Sequence, residues 1–467
     1  MNSNELSVLT LNCWGLKIVS KKRRFRLKAI ADAISTAEYD IVTLQEIWMW
    51  EDFDYLKQQT QSTLPYAKCF YSGALGSGLA ILSRFPIVST SYFRYSLAGR
   101  PLKVLHGDFY VGKGCGSACI EHPDLGVLEV FTTHLHAGYG NSDEYEGHRV
   151  SESWELAHLL RASAAQGRHV IATGDFNSIP TSYNYQLLKA HAFMTDSWLE
   201  IHQDALTQNE GDGPTHDMVQ QLGITCDSPM NTWTKREKLK QQPYSKTLGD
   251  RLDYIFYRKS TQLECLRSSV VMTEHIPGTQ MSYSDHFGVL STFAVYSDVP
   301  AMTTTTAADM PDTAQLGRPT YTWIEPSMLE QILELFRRDE IATRRTANLL
   351  LALFVFLVIA VIAVYATVIA LPVSLRINEQ GSLITAVVNT LGGLCVVAMA
   401  AFATICFIVG FVFGHTEQRA LKQFALEVDT LLEGMKQQQH GGARRVPQKN
   451  PSPASSSDTE ALLRFDQ

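Results

Sequence analysis

Carboxylates, imidazoles and side-chain amides recur along the first 300 residues at the points where short apolar runs end. Asn12 follows the run 6–11, Glu46 follows 41–44 in Leu44-Gln45-Glu46, and His134 and His136 close Thr132-Thr133-His134-Leu135-His136. Asp175 and Asn177 sit in Gly174-Asp175-Phe176-Asn177, Asp253 opens Asp253-Tyr254-Ile255-Phe256, and Asp285 and His286 form Ser284-Asp285-His286. An imidazole exchanges a proton near neutral pH, and hard carboxylate or amide oxygens suit a small divalent cation. Any one of these groups alone reads as a turn or a cap. Six such points at strand ends of one domain read as a site.

The elements that must carry them alternate. Apolar strands are expected at 6–11, 41–44, 78–82, 127–134, 170–173, 252–257 and 289–295, with helices near 22–36, 145–165 and 182–192. This is an α/β pattern, with antiparallel pairing at the turn His122-Pro123-Asp124-Leu125-Gly126. The basic run Lys21-Lys22-Arg23-Arg24-Phe25-Arg26-Leu27-Lys28 reads as the solvated face of the first helix, although such a run also attracts anionic lipid.

The segment from Gly107 to Lys113 fits Gly-x-x-x-x-Gly-Lys, yet Gly114 stands where a nucleotide loop needs Ser or Thr for its Mg²⁺. Residues 117–121 and the run from 127 read as β, so no helix N-terminus follows to cradle phosphate. ATP binding is not expected. A glycine-rich loop beside the site is, with Lys113 near substrate or paired to Asp108.

Composition sets the frame. The chain has 467 residues, 45% of them apolar, and a net charge of −7. That is enough material for a core, and the acidic balance argues against nucleic acid as the main partner. Eight cysteines without a C-x-x-C pair do not make a disulfide scaffold, and the first residues show no cleaved-signal pattern. Residues 347–371 and 385–414 carry no charge, and each stretch is long enough to span a bilayer. Arg337, Arg338, Arg344 and Arg345 precede the first span and Arg419 and Lys422 follow the second, so both termini and residues 1–300 are expected in the cytosol. Between the domain and the first span come a linker (301–325) and an amphipathic basic helix (326–345). The latter carries Leu329, Ile332, Leu333 and Phe336 on one stripe, to lie on the membrane or pack on the domain. A cytosolic helix (415–438) and a disordered tail (439–467) follow the second span.

The ordered series LNCWG, QE, GLAILSRFPI, TTHLHA, GDFN, RLDYIF and SDH, over about residues 5–295, resembles the endonuclease/exonuclease/phosphatase superfamily. Within it the chain looks most like the neutral sphingomyelinases and the inositol phosphosphingolipid phospholipases C. Three features carry that: His134-Leu135-His136-Ala137 with Gly147-His148-Arg149, the Asp108/Lys113 pair, and the two C-terminal spans. The resemblance implies a deoxyribonuclease I-like four-layer sandwich, two mixed β-sheets flanked by helices with the site at one rim.

It also implies roles. Glu46 would ligate Mg²⁺ with the Asn12 amide oxygen beside it, and His286 would be the general base. Asp253 or Asp285 would orient His286; spacing does not choose between them, and family precedent favours Asp253. Asp175 would align the attacking water, Asn177 and His134 would donate to phosphate oxygens, and Asp108 and Lys113 would act as a switch. The expected activity is Mg²⁺-dependent hydrolysis of sphingomyelin or inositol phosphosphingolipids to ceramide and a phosphorylated headgroup. Anionic phospholipids would activate, no obligate protein partner is implied, and the endoplasmic reticulum is the default membrane, with mitochondria or other endomembranes open. The rivals are a nuclease, which would want a basic groove, an inositol polyphosphate phosphatase, which would want clustered cations, and an inert membrane scaffold.

Overall fold

The computed structural model describes residues 3–104, 106–138, 143–203, 216–235, 249–297, 310–374 and 381–441. Linker residues 301–309, connector residues 375–380 and the tail from 442 lie outside the described residues.

Among the described residues, twelve strands form two six-stranded sheets. In chain order they are β1 (Ser3–Asn12), β2 (Ile41–Gln45), β3 (Tyr66–Cys69), β4 (Ala80–Ser83), β5 (Ile87–Arg94), β6 (Gly114–His122), β7 (Gly126–His134), β8 (His169–Asp175), β9 (Thr195–Asp196), β10 (Asp253–Tyr257), β11 (Leu263–Val271) and β12 (Gly288–Tyr296). One sheet runs β11-β12-β1-β2-β4-β3 and the other β5-β6-β7-β8-β10-β9. Both are mixed: β1–β2 and β7–β8 pair in parallel and their other neighbours antiparallel. The expected turn at 122–126 closes the β6–β7 hairpin, with His122 opposite Gly126.

Alternation of side chains decides the layers. Leu6, Val8, Ile41 and Ile81 of the first sheet meet Ala118, Val130, Ile171 and Ile255 of the second in one core, so the sheets pack face to face. The opposite face of the first sheet, with Leu9, Leu11, Val42 and Leu44, is covered by helices α1 (Arg23–Thr36) and α2 (Trp50–Thr60) through Leu27, Ile30, Ile34, Phe53 and Leu56. Helix α3 (Glu146–Ala165) covers the second sheet through Leu156, Ala157 and Leu160. The four-layer sandwich is as expected. Strand β5 was not anticipated because it is a largely exposed edge of Ser, Thr and Tyr, without the apolar run that marks an inner strand.

The C-terminal third departs from its expected division. Residues 310–324 lie on the domain: Arg161 donates to the carbonyls of Leu316 and Arg318, and Trp323 N to Ala190 O. The basic segment and first span are one helix, α4 (Pro326–Ser374). After α5 (Gly381–Phe407) a π-helical stretch (Ile408–Gly414) leads into α6 (His415–Gly441). Two stretches of these helices are long and apolar enough to cross a membrane. The stripe Leu329, Ile332, Leu333 and Phe336 is buried against Leu421, Phe424 and Val428 of α6 and Val150 and Trp154 of α3. Of its two expected placements, packing on the domain is the one adopted, because α6 supplies a matching apolar face.

Candidate active site

The polar residues converge because strand direction sends them to one rim. Asn12, His134 and Asp175 end β1, β7 and β8, and Glu46 follows β2. Strands β10 and β12 run antiparallel to β8 and β1, so they deliver groups from their beginnings: Asp253 is the first residue of β10, and His286 lies just before β12. Register does the rest. Asp175 pairs laterally with Asp253 on one side and with His134 on the other.

Asp175 is the hub. Its Oδ2 accepts from the Asn12 amide at 2.9 Å and lies 3.5 Å from His134 Nε2 and 3.8 Å from His286 Nε2, while Oδ1 accepts from Asn177 N at 2.9 Å. The same Asn12 Nδ2 is 3.3 Å from Glu46 Oε1, so one amide bridges two carboxylates. Asn12 thus turns its nitrogen to the carboxylates, and its oxygen accepts from Trp14 N at 3.0 Å. This bears on the expected amide-oxygen ligand: in this arrangement that oxygen serves the local turn.

His286 Nδ1 stands 2.8 Å from Asp253 Oδ2, and its Nε2 is 3.4 Å from the Cys226 thiol. Asp253 N in turn donates to Thr225 Oγ1 at 3.1 Å. Asp285, the other candidate for orienting the ring, lies beside Ser284 and contributes charge near Glu46 and Arg26.

Lys113 Nζ is 3.0 Å from Asp108 Oδ1 and donates to Leu135 O at 2.9 Å, with both side chains buried. Of the two expected placements of Lys113, pairing with Asp108 is observed. Asn177 Nδ2 donates to the same Leu135 carbonyl. The pair thus holds the strand end that presents His134, and β6 rather than a helix follows it, as expected.

Charge is concentrated. Burial and the nearby Asp285 push the Glu46 carboxyl up to about 7. Burial would also raise Asp175, but His286, His134 and the donors Asn177 and Asn12 outweigh it and hold it below the usual carboxylate range. Burial, reinforced by Lys113, pushes His134 down to about 3, so its ring is neutral. For His286 burial opposes the charged form, and Asp253 overcomes that and raises the imidazole well above its ordinary value.

Asp175, Asp253 and His286 offer ligand atoms within 4.8 Å of one another, a cluster able to hold a cation. Two of the three donors are carboxylate oxygens, which fits a small divalent ion. Within that cluster His286 Nδ1 is already engaged by Asp253 Oδ2.

Backbone strain marks the same loops. Trp14, Glu46 and Asn177 adopt positive φ (47, 62 and 44°). A side chain at Gly15 would meet Glu46 O at 2.1 Å, so glycine lets the β1 turn close over the Glu46 backbone.

Several contributors were not legible. Arg26 belongs to a run read as a solvated face, but it is fully buried and donates to the carbonyls of Cys13, Trp14 and Tyr283 at 2.6–3.0 Å, tying the β1 turn to the His286 loop. Thr225 and Cys226 carry no motif. Trp48, whose Nε1 is 3.4 Å from Glu46 Oε2, had a signal in Gln45-Glu46-Ile47-Trp48.

Comparison with known proteins agrees with this geometry. Residues 9–286 match the model of the Endonuclease/Exonuclease/phosphatase family. The chain is 40% identical over 294 residues to the inositol phosphosphingolipids phospholipase C of Schizosaccharomyces pombe, covering 62% of this chain and 69% of that one. It is 38% identical over 302 residues to a putative neutral sphingomyelinase of Caenorhabditis elegans, covering 63% and 67%. With human sphingomyelin phosphodiesterase 2 the identity is 33% over 301 residues, covering 64% and 66%.

Proposed function

Because the chain belongs to the endonuclease/exonuclease/phosphatase family, we propose that it is a membrane-anchored, Mg²⁺-dependent phospholipase C acting on sphingolipids. Sphingomyelin, inositol phosphosphingolipids or both are its substrates, and ceramide and a phosphorylated headgroup its products. The carrying observation is that His286 sits between Asp253 and Asp175, with Glu46 joined to Asp175 through the Asn12 amide.

In this reading Asp253 holds His286 in the tautomer whose Nε2 accepts a proton from water. Asp175 aligns that water, and Asn177 and His134 bind phosphate oxygens. The hydroxyl adds to phosphorus, the bond to the ceramide oxygen breaks, that oxygen takes a proton from solvent water, and His286 returns its own proton to solvent. Glu46, with Asp175 near, would hold Mg²⁺, which when bound neutralises phosphodiester charge and offsets the carboxylates that keep His286 protonated. The Asp108–Lys113 pair sets the loop that presents His134. Positioning and charge stabilisation supply most of the barrier reduction in such displacements.

The two apolar helices support anchoring, and the flanking arginines support cytosolic termini on an endomembrane such as the endoplasmic reticulum. Release of water-soluble phosphate from headgroup-labelled sphingolipid vesicles with Mg²⁺, and its loss in His286→Ala, tests the assignment. Competition between choline- and inositol-bearing substrates reads the headgroup. Absence of release from both would sink it.

A further inference from the structure

The helical pair that carries the spans also reports which way the catalytic rim faces. Along α6, Glu427 meets Trp154 Nε1 at 2.9 Å and Glu417 meets His148 Nε2 at 3.1 Å. Followed back toward the spans, α6 therefore runs toward the beginning of α3, which leaves the rim just after β7. At that level Glu417 also accepts from Arg100 Nε at 2.9 Å, and Phe109 packs edge-on against Phe413. Side chains at Gly410 or Gly414 would meet Ala347, so both spans start at this height. Arg100 and Phe109 belong to the loop between β5 and β6, which lies at the catalytic rim. The spans thus continue past the site, and the rim looks toward the bilayer.

The rim is apolar where it is most exposed. Among the described residues of the catalytic domain, four large apolar side chains are more than 60% exposed: Ile18 (95%), Val19 (63%), Tyr71 (73%) and Val104 (61%). All four lie on rim loops, after β1, after β3 and between β5 and β6. The next, Val88 at 57%, lies at the start of β5 on the opposite rim. Ile18 is the most exposed of them, and exposed Lys17, Lys21, Lys22 and Arg24 flank Ile18 and Val19, with no acidic residue from Cys13 to Ala31. Apolar tips ringed by cations are what an anionic lipid interface accommodates.

We propose that the loop 16–22 is a second membrane-contact site. Ile18 and Val19 enter the interfacial layer of an anionic bilayer while the flanking cations lie on its headgroup phosphates. The hairpin docks on the α3 side of the sandwich, and this loop lies on the α1 side. The catalytic mouth lies between, so the two contacts together fix its tilt against lipid. The orientation rests on the helices and exposures alone; the consequence for turnover rests on the proposed lipid substrate.

The test uses the full chain in nanodiscs of phosphatidylcholine with and without phosphatidylserine. Exposed Cys395 is first replaced by Ser, and an environment-sensitive dye is placed on Ile18→Cys or, as a control on the far rim, Val88→Cys. We expect interfacial spin-labelled lipid to quench the dye at position 18, more strongly with phosphatidylserine, and to leave position 88 unquenched. Equal quenching at both positions, or none at 18, overturns the proposal. This readout needs no turnover, so it stands apart from the enzymatic assignment. The double variant Ile18→Asp/Val19→Asp is expected to lose about tenfold in hydrolysis of long-chain sphingolipid in nanodiscs while keeping its rate on a short-chain, water-soluble sphingolipid. An equal loss on both substrates would mean a disturbed site and count against it.

Discussion

His286 and Asp253 come from segments 33 residues apart, yet Nδ1 of one stands 2.8 Å from Oδ2 of the other. Asp285, the chain neighbour of the imidazole, accepts instead from Ser284 Oγ at 3.3 Å. Asp253→Asn is expected to lower kcat by about 10²–10⁴ with little change in KM, because the amide favours the wrong tautomer. Asp285→Asn should cost less. Steady-state kinetics on both variants, with circular dichroism to verify folding, decides; the reverse ranking would move the orienting role to Asp285.

Glu46 gives a pH signature. Its carboxyl rises from 4.5 to about 7 on folding, through burial and then Asp285. Between those values the folded state holds a proton the unfolded chain has lost, so the metal-free fold loses stability as pH rises through this window. Mg²⁺ should therefore raise Tm more at pH 8 than at pH 5, and Glu46→Gln should remove both the slope and the Mg²⁺ effect. A Tm shift independent of pH, or undiminished in Glu46→Gln, argues against Glu46 as the ligand.

Asp108 and Lys113 form a buried pair, so losing either is expected to affect folding as well as turnover. Removing one partner of a buried pair leaves an uncompensated charge, a cost of about 3–5 kcal/mol. Asp108→Ala and Lys113→Ala should each lower Tm as well as activity. The double variant Asp108→Asn/Lys113→Met should regain much of the stability and none of the turnover. Recovery of activity along with Tm would reduce the pair to a structural role.

Glu417 links the base of the hairpin to the domain. Burial would raise its pKa, but His148 and Arg100 outweigh that and hold it at about 2. Its contribution is present above 4.5 and is lost as pH falls toward 2. Glu417→Gln should weaken docking, seen as faster hydrogen exchange at residues 97–104 in the full chain at neutral pH. Unchanged exchange there would mean that the apolar cluster alone holds the helices. For the same reason a chain ended at residue 300 should lose Tm as well as vesicle activity, since it uncovers Leu97, Val150, Trp154 and Leu187.

The order of apolar runs, and polar residues at their ends, sufficed to place the α/β class, the central strands and a cluster of Asn12, Glu46, His134, Asp175, Asp253 and His286. Buried inner strands announce themselves because both faces must be apolar, and uncharged stretches of bilayer length do so for the same reason. What only tertiary structure decided was which groups face each other. Asp253 rather than Asp285 reaches the imidazole because antiparallel register sets β10 against β8, a relation that sequence spacing does not encode. Arg26 looked solvated because a charge run carries no sign of the three carbonyls waiting to receive one of its members. The stripe 329–336 was amphipathic on any reading; only the presence of α6 and α3 around it determined that protein rather than lipid would cover it.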